Sequence, residues 1–116
     1  MKPLVILLLL ATPAFADAPV VETAEARRAG AAWTVSVTLS HPDTGWDHYA
    51  DGWRIEAPDG TKIGLRELVH PHVNEQPFTR SLSGVAIPQG LTGVLVRPRC
   101  NVDGWADAVF SLELGG

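Results

Sequence analysis

From Trp33 to Ser40 apolar and polar side chains alternate without a break, Trp33, Val35, Val37 and Leu39 on one parity and Thr34, Ser36, Thr38 and Ser40 on the other. Successive side chains of a strand point to opposite faces, so this period of two predicts a half-buried strand over residues 31–40. The preceding stretch, residues 20–28, alternates weakly and carries charges along its length, which suits an edge strand that must not pair with a second molecule. Gly30 separates the two and predicts a hairpin. Alternation resumes in WRIEA, with Trp53, Ile55 and Ala57 inward. Pro58-Asp59-Gly60 then supplies a turn and KIGLREL returns on its far side, a second hairpin over residues 53–68.

FTRSL and GVAIP change parity between Leu82 and Val85, so a bulge or bend is expected at Ser83-Gly84. VLVRPRC follows a turn bracketed by Gly90 and Gly93, and NVDGWAD, residues 101–107, reads as a turn or tight loop. AVFSLEL closes the pattern with Phe110, Leu112 and Leu114 toward the core. No stretch combines the length and the apolar period of a substantial helix. Seven short strands at this spacing predict an all-β fold of two packed antiparallel sheets, an immunoglobulin-like or fibronectin-like sandwich, with a small open barrel as the alternative. The disulfide and Cys-Trp-Cys spacing of antibody domains are absent, since Cys100 is the single cysteine.

The two stretches that break the pattern, residues 41–52 and 69–77, hold all four histidines. Pro42 and Gly45 keep the first from being one strand. Asp43, Asp47 and Asp51 are spaced four apart, but as like charges they disfavour a long helix, leaving a loop with one helical turn at most. His70 and His72 are two apart, so in an extended segment both imidazoles point to one side and can share an ion. His41 or His48 would supply a third nitrogen if the two loops meet, and neutral imidazole suits copper or zinc. The plainer alternative is that these rings hydrogen-bond the loops to one another. Trp46, Asp47, Tyr49, Asp51 and Trp53 form an aromatic and acidic segment that suits an interaction mouth, against a structural role in which the rings cap one end of the sandwich. Its carboxylates would also suit the fixing of a histidine tautomer. Cys100 reads as a buried small hydrophobe, with a metal ligand or an intermolecular thiol as the other options. Arg66, Arg80, Arg97 and Arg99 sit in or beside strands, where Glu67, Glu75, Asp103 and Asp107 are candidate partners.

The N-terminus changes the setting. Lys2, the apolar run Leu4 to Ala11 and Ala14-Phe15-Ala16 make a cleavable secretory signal over residues 1–16, leaving a single domain over residues 17–116. The run is too short to span a bilayer, and no cysteine follows it to carry a lipid, so a soluble periplasmic or secreted product is expected. Loss of Lys2 moves the formal charge from −4 to −5, which disfavours a nucleic-acid partner. Enzyme signatures are missing: there is no Gly-x-Ser-x-Gly, Cys-x-x-Cys, His-Glu-x-x-His or phosphate loop. A blue-copper loop is also missing, because neither histidine nor methionine follows Cys100.

The run from Asp43 to Asp51, with His70-Pro71-His72-Val73 and Glu75-Gln76-Pro77-Phe78-Thr79-Arg80-Ser81-Leu82, resembles a small family of exported bacterial β-domain proteins of unassigned activity, over residues 31–112. The resemblance implies export and a compact β fold and transfers no residue roles. The expectation is an exported binding protein or accessory domain coordinating copper or zinc through His41, His48, His70 and His72. Its alternative is a protein-interaction module that grips an envelope protein with the loop around Trp46, Tyr49 and Trp53.

Overall fold

A computed structural model describes residues 18–115, so the expected signal over residues 1–16 lies outside the described residues. The described strands are β1 (Val20–Ala29), β2 (Ala32–Ser40), β3 (Ala50–Glu56), β4 (Lys62–Glu67), β5 (Phe78–Val85), β6 (Gly93–Cys100), β7 (Gly104–Trp105) and β8 (Phe110–Glu113). They form two antiparallel sheets, β1-β2-β5 and β4-β3-β6, with β7 and β8 both paired to β6. Among the described residues there is no helix, hence none long and apolar enough to cross a membrane. The sandwich expected from the alternation is the observed fold. β4 pairs with β3 within one sheet rather than with β5 in the other, which distinguishes the fold from the constant-type antibody order.

The apolar parity of β2 supplies one wall of the core through Val35, Val37 and Leu39, and Trp53, Ile55, Val94, Val96 and Leu112 supply the other. On the opposite face of β2, Ser36 meets Ser81 and Thr38 meets Thr79, each hydroxyl pair 2.7 Å apart across the β2–β5 register. The bulge expected at Ser83-Gly84 is present: Trp33 pairs with Val85 and Val35 with Leu82, so two residues of β5 oppose one of β2. Gly84, at a φ of +67°, takes the left-handed conformation that such a bulge requires.

Two boundaries differ from the sequence reading. β3 begins at Ala50, inside the segment expected to be loop, and β7 is an eighth strand within residues 101–107. The second follows from a tight reversal at Gly104 (φ +77°), which returns Trp105 against Arg99. The guanidinium groups of Arg54 and Arg99 then lie over the Trp105 ring, 4.0 and 4.8 Å from its centroid, and hold the short strand in place.

Charge pairing departs from expectation in part: Arg80 does reach Glu75, one of the expected partners, while Arg97 and Arg99 take others. Arg97 donates to Glu56, not to Asp103 or the Asp107 carboxylate, at 2.8 Å from Nε, and its Nη1 donates to the Ala106 and Asp107 carbonyls. Arg54 donates to the same Glu56 carboxylate at 2.5 Å. Arg99 reaches Asp51 at 2.9 Å and Arg80 reaches Glu75 at 3.1 Å. Gly52 permits the Arg99 contact, because a Cβ there would come within 2.8 Å of Nη2.

The topology brings three connections to one end. Leu39 pairs with Phe78, Gly52 with Glu67 and Ala50 with Cys100, so β2 and β6 finish where β3 and β5 start and where β4 ends. Residues 41–49, 68–77 and 101–103 therefore leave the sheets side by side.

Glu56 is held below its ordinary pKa of 4.5, chiefly by the hydrogen bond from Arg97, which outweighs its burial, with Arg54 adding to the effect. A carboxylate with a lowered folded pKa contributes stability that is whole above 4.5 and is lost as pH falls through the folded value. Glu56→Gln is therefore expected to cost about 2 kcal/mol at neutral pH and to lessen the acid dependence below that point. Urea unfolding across an acid pH series measures both.

Candidate functional site

The side chain of Asp43, four residues beyond the end of the β2 core row at Leu39, is fully buried beneath the loops at this end. Its Oδ1 accepts the backbone N–H of Ala50 at 2.9 Å and lies 2.5 Å from Nδ1 of His41. Its Oδ2 accepts the backbone N–H of His72 at 2.8 Å. One carboxylate thus ties the β2–β3 loop, the first residue of β3 and the β4–β5 loop together. Gln76 adds a second tie, accepting from the His41 backbone at 2.9 Å and donating to the His72 carbonyl at 2.8 Å.

When Asp43 accepts from Nδ1, the atom of the His41 ring left to bind a ligand is Nε2. That atom is buried and has no hydrogen-bond partner, and the same is true of Nε2 of His48. The two rings meet edge to face with centroids 4.7 Å apart. Cys100 completes the group: among the described residues, one ligand atom from each of His41, His48 and Cys100 lies within 4.8 Å of the others. Cys100 is fully buried at the end of β6, and its Sγ accepts the backbone N–H of Asp103 at 3.3 Å.

His48 is placed by a latch. Asn101, next to Cys100, donates from Nδ2 to the carbonyls of Trp46 (3.0 Å) and Asp47 (3.3 Å), and its Oδ1 accepts the N–H of Tyr49 (2.9 Å). The Asn101 backbone N–H donates to the Tyr49 carbonyl at 3.1 Å. His48 itself closes a tight reversal, donating to Gly45 O and accepting from Thr44 N. No helical turn forms, since Gly45 takes a φ of +146° and the chain reverses there.

The four histidines are divided into two pairs rather than gathered in one cluster. His70 and His72 have ring centroids 4.5 Å apart, yet neither belongs to the three-donor group. His72 is stacked on Phe78 at 3.9 Å, and its Nε2 lies 2.9 Å from Nη2 of Arg80, a donor that occupies the lone pair. His70 is exposed, its Nδ1 3.1 Å from the Pro71 carbonyl. Of the aromatic segment, Trp46 is 66% exposed and packs edge to face on Tyr49 at 5.6 Å, with Asp47 exposed beside them. Asp51 is committed to Arg99. Trp53 is fully buried in the core on the same parity as Ile55 and presents nothing to a partner. Asn101 and Asp43 are the positioning residues that sequence reasoning missed.

Asp43→Ala strands the N–H groups of Ala50 and His72 and is expected to lower the unfolding free energy by about 3 kcal/mol, with Asp43→Asn losing less because one acceptor survives. Denaturant titration of the two variants checks the order. Burial holds the His72 ring below its ordinary pKa of 6.5, and Arg80 and then His70 add to the effect. A depressed histidine contributes stability that is whole above 6.5 and falls as pH drops from there toward the folded value. His72→Phe, which keeps the stack on Phe78, is expected to flatten that part of the stability profile in thermal melts at graded pH.

No protein-family model matches the chain, and no solved structure matches it. It is 42% identical over 97 residues to a protein of Halomicrobium mukohataei named "Putative lipoprotein". The aligned stretch is 84% of this chain and 47% of the relative, so the chain spans about half the length of the curated relative it matches. Over most of its length, the chain is therefore similar to part of a longer protein that carries a lipoprotein's name.

Proposed function

We propose that this chain is an exported, envelope-associated binding domain that holds a first-row transition metal, copper or zinc, between His41, His48 and Cys100. The observation that carries the reading is the pair of buried, unpartnered imidazole nitrogens beside a buried thiol, the three residues' ligand atoms within 4.8 Å. A buried polar atom without a partner costs about 1–3 kcal/mol, and one ion would satisfy both rings at once. Asp43 behind His41 is the carboxylate that commonly orients a metal-bound ring. Export is supported by the signal-like residues 1–16 and by the name of the relative.

His70 and His72 lie outside this set, and His72 anchors the β4–β5 loop to Phe78 and Arg80. Calorimetric titration of the purified chain with Zn(II) and with Cu(II) is expected to show one saturable site of micromolar affinity or tighter. His48→Ala and Cys100→Ala each weaken it by about tenfold or more, and His70→Ala leaves it unchanged. Absence of a saturable site, or loss in His70→Ala with retention in the other two, overturns the assignment.

A further inference from the structure

Resting on the metal reading above, we infer that the ion this site is built for is divalent copper, bound to the Cys100 thiolate and to the imidazoles of His41 and His48. Two imidazoles and one thiolate are the donor set of trigonal copper sites, whereas a structural zinc site takes four protein ligands and a three-ligand zinc site adds a water. Among the described residues the group holds three donors. Of the nearby carboxylates, Asp43 is engaged by His41, Ala50 and His72, and Asp103, whose Oδ2 lies 3.8 Å from Sγ, is not one of the three grouped donors.

The chain order explains why this donor set is hidden in the sequence. No histidine follows Cys100, so a copper loop after the cysteine has nothing to bind with. The fold supplies both imidazoles from the opposite side, from the β2–β3 loop, because Ala50 pairs with Cys100 and carries that loop over the sulfur. Asn101 clamps the residues on either side of His48 to the strand that ends in Cys100.

Burial protects the thiolate. Cupric ion oxidises exposed thiols by joining two of them, but a disulfide needs Cβ atoms about 3.5–4.5 Å apart. Cys100 is the single cysteine and is fully buried, so two chains cannot bring their sulfurs together without unfolding. On binding, the Sγ–H bond breaks and a Cu–Sγ bond forms. The proton leaves by way of the Asp103 carboxylate or solvent, and copper stays divalent. The Asp103 N–H that points at Sγ then donates to a thiolate, a charge-assisted bond.

The test adds one equivalent of Cu(II) sulfate to the purified full chain and records visible absorption and electron paramagnetic resonance. The expected result is an intense thiolate-to-Cu(II) charge-transfer band with a bound Cu(II) signal, and displacement of pre-bound Zn(II) with a preference of about tenfold or more. Cys100→Ser abolishes the band. His48→Ala, in a partly exposed loop, weakens copper affinity by about tenfold or more with the near-ultraviolet circular dichroism unchanged, and it carries the test if the serine variant does not fold. Saturable Zn(II) binding lost in His48→Ala, with Cu(II) giving no thiolate band, overturns the copper assignment and leaves the metal reading standing. Reduction of copper with loss of the free thiol also overturns it. If neither ion binds, both readings fall.

Discussion

The buried carboxylate of Asp43 accepts from a histidine ring and from two backbone N–H groups on different segments. A carboxylate removed from water is costly unless its lone pairs are filled, and here each partner comes from a part of the chain that would otherwise end in an unsatisfied donor. The result is a single point at which the β2–β3 loop and the β4–β5 loop are cross-linked without a covalent bond. Everything distal to it, including the position of His41 over Cys100, inherits its precision from that point.

The rest of the sandwich is arranged so that this end can be irregular. The opposite faces of β2 divide the labour, apolar side chains inward and hydroxyls outward to β5, so the register between β2 and β5 is held by two different kinds of contact. A shift of one residue would bury Ser36 and Thr38 and expose Val35 and Val37, which makes the register hard to slip. In the other sheet, Arg97, Arg54 and Glu56 link β3 to β6 while Arg99 crosses above Gly52 to Asp51. Both of these ion networks lie on β3 and β6, the strands whose paired ends are Ala50 and Cys100. A firm frame therefore stands under loops that carry little regular structure.

Within that frame the two histidine pairs do different things. The His72 ring is enclosed, stacked and hydrogen-bonded, so it behaves as part of the packing. His41 is buried and His48 half-buried, and each has a buried Nε2 without a hydrogen-bond partner, as His72 does at Nδ1; what sets the first two apart is their grouping with the Cys100 sulfur. Buried polar atoms without partners are uncommon in protein interiors, and two of those found here belong to rings grouped with a thiol. The proximity of the Asn101 latch, made of four hydrogen bonds to residues 46–49, shows that the arrangement is held rather than incidental.

Much of the framework is legible in the chain itself. The parity of Trp33 to Leu39, the Pro58-Asp59-Gly60 turn and the parity break before Val85 each specify local geometry, because side-chain period and turn chemistry act over a few residues. The same local signals point to the two interrupted stretches as the irregular end of the molecule. What only the tertiary structure decided is which of their residues meet. His70 and His72 look paired because they are close in sequence, but Phe78 and Arg80 claim one of the rings. Cys100 lies 52 residues beyond His48, and its place beside that ring follows from the register of β3 on β6. Such a register is set by the packing of the whole core, a sum over many distant contacts, and no window of the sequence contains it.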